Sequence, residues 1–234
     1  MIATGSTDCS AKIWDATNGH LLYAFDEHPA DVTQMAFSPN NRFFASCADC
    51  FCFIWDVETG AKAVDLVGHS AVIWCMRFSN KGDRIITGSE DNTARVWDAC
   101  SGDELVTIRE HTGPVWSVSF SPDDNEVVTA AYDCVVATCD SFSGERHHIF
   151  YDGQNDSPVN AVAYSKSGGL LASGSADGIV RLWDVLAGNL MAEFRGHEEK
   201  VKAVVFTEGD SDIISSSEDG TVRIWNVHDV LRLY

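Results

Sequence analysis

The chain has 234 residues, 45% of them apolar, which is enough for one sizeable core. Its formal charge is −19, from 35 acidic residues against 16 Lys plus Arg. Such a surface repels nucleic-acid phosphates and anionic membranes, which are held by clustered basic residues, and it points instead to protein partners of basic or neutral character. No apolar run approaches the roughly 18 residues of a membrane span. The start, Met1-Ile2-Ala3-Thr4-Gly5-Ser6, has neither the basic residues nor the apolar run of a secretory signal. A cytoplasmic protein with free thiols is expected, a nuclear one being compatible, with no membrane insertion.

The predicted elements repeat along the chain. The first unit, residues 1–26, has a strand ending at Ser6, an acidic turn at Asp8 and a strand closed by Trp14-Asp15. The second, 27–67, opens at Glu27-His28, runs to Phe37, turns at Ser38-Pro39-Asn40-Asn41 and closes a later strand at Trp55-Asp56. The third, 68–109, has Gly68-His69, Phe78, the apolar run Arg84-Ile85-Ile86-Thr87-Gly88-Ser89, the turn Glu90-Asp91-Asn92 and then Ala94-Arg95-Val96-Trp97. The fourth, 110–152, has Glu110-His111, Phe120 and Cys139-Asp140 in the Trp-Asp place. The fifth, 153–195, has Asn155 where the others have His, then Tyr164 and Trp183-Asp184. The sixth, 196–234, has Gly196-His197, Phe206 and Trp225-Asn226.

These closing positions lie 41, 42, 42, 44 and 42 residues apart, and each His or Asn stands nine residues before its aromatic. Each unit reads as short strands separated by turn residues, with no helical period. One such unit cannot bury both of its faces, so the units must pack on one another, and radial packing does this while leaving only short edges. One domain spanning 1–234 is predicted.

With these spacings the chain resembles the WD40-repeat family. The resemblance implies an all-β WD40 β-propeller with six recognisable repeat units, of which the first and last are incomplete. The first unit begins at its second strand and the last stops near its fourth. Completion of the ring by missing sequence or by another chain is therefore expected, as six blades or as part of a seven-bladed propeller.

In that family a His, a Ser or Thr, an Asp and a Trp of each blade form a buried hydrogen-bonded relay. The residue types fit the chemistry, because a buried indole N–H needs an acceptor and a hydroxyl both accepts and donates. Two units carry the whole set: His69, Ser89, Asp91 and Trp97, and then His197, Ser217, Asp219 and Trp225. The first unit carries Ser6, Asp8 and Trp14. The second has Cys47 in the serine place beside His28, Asp49 and Trp55. The fifth has Ser175, Asp177 and Trp183. The fourth has His111 and Asp133, with Ala131 and Cys139 in place of hydroxyl and Trp. A His, Ser and Asp can also suggest a hydrolase, but a set that recurs in successive blades and ends on a Trp is structural. No catalytic residue, cofactor or metal is predicted. The tight run Cys47-Ala48-Asp49-Cys50-Phe51-Cys52 lacks the second ligand pair of a zinc site.

The resemblance also implies where partners dock: on the face where the loops before the inner strands open around the central channel. The variable positions there are Thr7 in the first unit; Asp31, Thr33 and Ala48 in the second; and Val72, Trp74 and Glu90 in the third. They continue with Pro114, Trp116 and Tyr132, then Pro158, Asn160 and Ala176, and then Lys200, Lys202 and Glu218. Trp74, Glu90, Trp116, Tyr132, Lys200 and Lys202 are the predicted partner-binding residues, because grouped aromatics make interface hot spots. An interaction scaffold or complex subunit is the first expectation. A reader of modified peptides that stacks a cation on the aromatics is the alternative, and an enzyme is the least favoured.

Overall fold

The computed structural model describes residues 1–150 and 156–228, and every regular element in it of more than one residue is a strand. The first sheet holds β1 (Ile2–Gly5), β2 (Ala11–Trp14) and β3 (Leu21–Phe25). The second holds β4 (Val32–Phe37), β5 (Phe43–Ala48), β6 (Phe51–Asp56) and β7 (Lys62–Val67), and the third β8 (Ile73–Phe78), β9 (Arg84–Ser89), β10 (Ala94–Asp98) and β11 (Glu104–Ile108). The fourth holds β12 (Val115–Phe120), β13 (Glu126–Ala131), β14 (Val136–Asp140) and β15 (Arg146–Phe150). The fifth holds β16 (Val159–Tyr164), β17 (Leu170–Ser175), β18 (Val180–Asp184) and β19 (Leu190–Phe194), and the sixth β20 (Val201–Phe206), β21 (Asp212–Ser217) and β22 (Val222–Asn226).

All six sheets are antiparallel meanders in chain order. The innermost strands β4, β8, β12, β16 and β20 pack on one another in turn, as the blades of a WD40-type propeller do. Both faces of a blade with a neighbour on each side are covered, whereas β1 in the first sheet is exposed or half-buried throughout. The second strands β5 and β9 are therefore buried along their whole length, whereas the outer strands β3, β7 and β15 alternate between exposure and burial. The approach between blades is close. A Cβ on Gly88 would lie 2.5 Å from Cys75 Sγ and 2.7 Å from Val115 Cγ1 on the next inner strand. The last sheet differs: Val222 and Ile224 are 68% and 69% exposed, although Val180 and Leu182 at the same places of β18 are buried.

Carboxylates tie neighbouring blades at the turns after the inner strands. The Asp124 carboxylate accepts the backbone N–H groups of Asn80 (2.7 Å) and Lys81 (3.0 Å) from the preceding blade. Asp210 does the same for Lys166 (2.7 Å) and Ser167 (2.8 Å). Asp124 is buried and Asp210 partly exposed. The Asp124 carbonyl also accepts from Arg84, whose guanidinium lies 4.2 Å from the Phe142 ring.

The relay exists, but its hydroxyl stands two residues earlier than the spacing suggested. In the third blade the Trp97 indole donates to Thr87 Oγ1 (2.8 Å), His69 Nε2 lies 2.7 Å from the same oxygen, and His69 Nδ1 lies 2.9 Å from Asp91. In the sixth, Trp225 and His197 meet on Ser215 Oγ, both at 2.8 Å, and His197 reaches Asp219 at 2.9 Å. Ser89 and Ser217 are not relay members. Each accepts the N–H of the turn Asp and donates to a backbone carbonyl, Ala71 O and Glu199 O respectively.

The reason is register. Trp97 stands opposite Ile85, so Thr87 is its diagonal neighbour on the same face. Ser89 is a further two residues along, about 14 Å from the pair at strand rise, beyond the reach of an indole.

The same shift corrects the other units. Trp14 donates to Thr4 rather than Ser6, and Trp183 to Ser173 rather than Ser175. The fourth blade keeps its hydroxyl after all, since Thr129 Oγ1 meets His111 Nε2 at 2.8 Å although Cys139 has replaced the Trp. In the second blade Ser46, not Cys47, joins Trp55 (2.8 Å) and His28 (2.7 Å). There the hairpin is one residue shorter: Ala48 pairs Phe51, and Asp49 occupies the left-handed region at φ 53°. Asp49 is thereby withdrawn from the relay, and His28 Nδ1 is buried without a partner. The reading of Asn155 in the His place lies outside the described residues.

Of the eight cysteines, Cys47 and Cys52 stand opposite each other on β5 and β6, Cα atoms 4.1 Å apart, and form a disulfide. The expectation of free thiols holds for the other six. Burial pushes the Cys75 and Cys139 thiols up to about 12, which makes them packing groups and not nucleophiles.

Candidate functional site

The five complete inner strands share one irregularity. The pairing register of each slips next to its first residue: between Val32 and Gln34, Ile73 and Cys75, Val115 and Ser117, Val159 and Ala161, and Val201 and Ala203. The residue left unpaired is Thr33, Trp74, Trp116, Asn160 or Lys202. A bulge of this kind releases one side chain from the alternation of the strand and re-aims it. Repeated at the same level of successive blades, it turns a ring of side chains toward the channel mouth.

Trp74, Trp116, Asn160 and Lys202 line a single cavity of about 760 Å³, together with Gln34, Tyr132, Pro158, Ala176 and Lys200. That volume lies in the range of ligand and peptide pockets. Five of the six predicted partner-binding residues are in its wall. Glu90 is not: it is exposed at the turn of the third blade, its N–H held by Val72 O (2.9 Å). Asp31, Val72, Pro114 and Thr7 also lie outside the wall.

Gln34 was missed by the sequence reading, which chose Thr33. The Thr33 hydroxyl bonds to the carbonyls of Cys47 (3.3 Å) and Ile73 (3.2 Å), and the next residue takes the wall position instead. Only the change from an aromatic or long polar residue to a short hydroxyl at the bulge could have signalled this.

The wall has two sides of different chemistry. On the third and fourth blades the Trp116 and Tyr132 rings meet edge to face, centroids 5.2 Å apart and planes at 78°, while Trp74 and Tyr132 are 40% and 55% exposed. On the sixth blade Lys202 Nζ lies 3.1 Å and Lys200 Nζ 3.5 Å from the Glu218 carboxylate. The hydrogen bond from Lys202 and the charge of both lysines hold the Glu218 carboxyl below the usual range, so it is ionised. Two ammonium groups thus share one carboxylate. Between the two sides the Asn160 amide donates to Val201 O (3.0 Å), fixing its orientation and leaving its oxygen free to accept.

None of the relay His, Thr, Ser and Asp side chains is in the wall of this cavity. His69 is held neutral, since burial lowers its pKa more than Asp91 raises it. Its hydroxyl partner is occupied by an indole. That set has no reactive hydroxyl to offer a substrate.

Comparison with known proteins settles the family. The model of the WD domain, G-beta repeat, matches residues 19–56, 61–98, 102–137, 144–184 and 188–226. The chain belongs to the WD40-repeat family. It is similar to Autophagy-related protein 16 of Arabidopsis thaliana, 31% identical over 200 residues, 85% of this chain and 30% of that protein. It is 29% identical over 192 residues to WD repeat-containing protein SL1-17 of Schistosoma mansoni, covering 82% of this chain and 49% of that protein. It is 31% identical over 102 residues to a guanine nucleotide-binding protein subunit beta of Oryza sativa subsp. japonica, 40% of this chain and 27% of that one. The chain thus spans less than half the length of each of these relatives. Among solved structures, the crystal structure of the computationally designed Ika8 protein matches with a TM-score of 0.86 at 32% identity, covering 96% of this WD40 chain and 67% of that one. WD40 domains generally act as scaffolds that bind other proteins.

Proposed function

We propose that this WD40 chain is a non-catalytic interaction scaffold, a subunit of a cytoplasmic complex, that docks a protein partner over the channel mouth. The observation that carries the proposal is the set of bulged residues from four successive blades that converge with Tyr132 on one cavity. Partly exposed Trp and Tyr side chains grouped in one concavity have the composition of a binding hot spot. The charge of −19 favours a partner that is neutral or basic overall, and disfavours nucleic acid and anionic membranes. In the same proposal the exposed face of β22, with Val222 and Ile224, is covered by another chain or by further sequence of this protein.

The alternative of a cation seated on the aromatics has the trio of rings in its favour. The two ammonium groups in the wall and the absence of Glu90 from it weigh against that occupant.

The test is affinity capture with mass spectrometry, comparing the chain with a Trp74→Ala/Trp116→Ala/Tyr132→Ala variant whose fold is verified by circular dichroism. The expected result is a defined partner that the chain retains and the folded variant loses. Retention of the same partners by both would remove the mouth as the docking site.

A further inference from the structure

We infer that the mouth takes an extended peptide segment of the partner that sets an apolar side chain against Trp74, Trp116 and Tyr132 and an Asp or Glu side chain between Lys200 and Lys202. The inference rests on the docking function proposed above and names the chemistry of its occupant.

The charge distribution argues for it first. In a chain carrying 35 acidic residues, the only charged side chains in the cavity wall among the described residues are two lysines. Their side chains are 55% and 58% exposed, and both ammonium groups lie within 4 Å of the Glu218 carboxylate. Each ammonium has three N–H donors and directs no more than one at Glu218, so within the wall two positive charges face that one carboxylate and retain donors for a ligand. A second carboxylate completes the pair. A third cation would have to approach two ammonium groups that repel it.

The opposite side argues for the rest of the ligand. Trp116 and Tyr132 meet edge to face, and Trp74 stands on the neighbouring blade, so three rings with few rotatable bonds present one apolar surface. A cavity of about 760 Å³ is too large for one side chain and too small for a folded domain, and it suits two or three residues of extended chain. The Asn160 oxygen and the Gln34 amide lie in the wall together with the aromatics and the lysines, and they offer partners to the backbone of a segment crossing the mouth.

A partner that is neutral or basic overall meets both demands, because the long-range field of the acidic surface attracts it while one local acid fits the lysine pair.

The experiment uses the whole chain and three arrays of N-acetylated, C-amidated heptapeptides in a Gly/Ser background, read by fluorescence polarisation. The first sets Leu or Phe zero to three residues from Asp or Glu; the second has Asn or Gln for the acid; the third has Lys. Expected is binding by the first array, weakened at least tenfold in the second and third. Lys200→Gln/Lys202→Gln is expected to abolish the preference for acid while leaving residual apolar binding, and Trp116→Ala to remove both.

Equal or tighter binding of the Lys array would overturn the inference, as would indifference to Lys200→Gln/Lys202→Gln. A fourth array with a free C-terminus and no internal acid serves as control, and its binding more tightly than the first would overturn the assignment to a side chain. Failure of the inference is distinct from failure of the docking proposal. If the aromatic variant loses its captured partner while no acidic peptide binds, docking stands and the acidic anchor falls. If the partner survives the aromatic variant, docking itself falls.

Discussion

The Thr87 hydroxyl receives the Trp97 indole N–H at 2.8 Å from the neighbouring strand, one diagonal step along the face they share. His69 completes the same oxygen from the other side, so one small side chain satisfies two buried rings. Replacing Thr87 by Val keeps the shape and strands both partners, and the expected loss is about 2–3 kcal/mol of unfolding free energy. Ser89→Ala removes bonds to the Asp91 N–H and the Ala71 carbonyl but strands no buried ring, and is expected to cost about 1 kcal/mol. Urea denaturation of the two variants checks this, and the reverse order would return Ser89 to the relay.

Gly88 faces Cys75 and Val115 of adjoining inner strands at distances no Cβ tolerates, whereas a Cβ on Gly209 would meet nothing within 4 Å. Gly88→Ala is expected to force the blades apart and destabilise by about 1–3 kcal/mol. Gly209→Ala is expected to be neutral or slightly stabilising, because it restricts the unfolded chain alone. Melting temperatures compare the pair; similar shifts would show that blade spacing does not depend on the glycine.

Asp124 and Asp210 make the same pair of bonds to a preceding blade, but only Asp124 is buried. Asp124→Ala removes a buried acceptor from two backbone N–H groups and is expected to cost about 2 kcal/mol, and Asp210→Ala, where water takes over, about 0.5–1 kcal/mol. Hydrogen exchange at Asn80 and Lys81 amides should accelerate in the first variant. Unchanged protection there would mean that the link contributes nothing to holding the blades.

Stability should fall in two stages as the protein is acidified. Burial is the main cause that lowers the imidazole pKa of His28 and His69 below the ordinary 6.5. In each the unfolded chain takes up its proton first, so stability declines as pH drops through about 6.5. At Asp91 and Asp133 burial alone would raise the carboxyl pKa, but hydrogen bonds and the facing His outweigh it and hold both below 3.8; at Asp219 the Thr221 hydroxyl bond leads the lowering. Their stabilisation is present above about 3.8 and is lost as pH falls toward the folded values. Urea midpoints should be lower at about pH 5.5 than at about pH 7.5. A midpoint that rises between those two values would contradict the sign.

Much of this was legible in the sequence, and the limits were local. The Trp-Asp spacing identified the blades because a fixed period survives substitutions such as Cys139 for Trp. The frame also isolated Trp74 and Trp116, the two tryptophans that close no strand, and placed them with Tyr132, Lys200 and Lys202 on one rim. It misassigned Ser89 because Ser89 and Thr87 point to the same face, and counting back from Trp97 does not reveal how far an indole reaches along the neighbouring strand. It read Asp49 as a relay member because a one-residue deletion in the hairpin is invisible when units are aligned on their tryptophans. Glu90 was counted with the site because turn residues of adjacent blades look equivalent in sequence, whereas Tyr132 is drawn toward the mouth by its contact with Trp116.

Under the docking proposal, the bulge at the head of each inner strand separates recognition from what keeps the chain folded. A residue excluded from the ladder carries none of its backbone pairing energy, so Trp or Lys stands there in some blades, and Thr33 or Asn160, bonded by side chain to neighbouring carbonyls, in others. The mouth behaves as a keyboard of interchangeable positions on a constant frame. A lineage could rewrite its partner choice one key at a time, and a protein engineer could do so deliberately, while the blades below remain as they are.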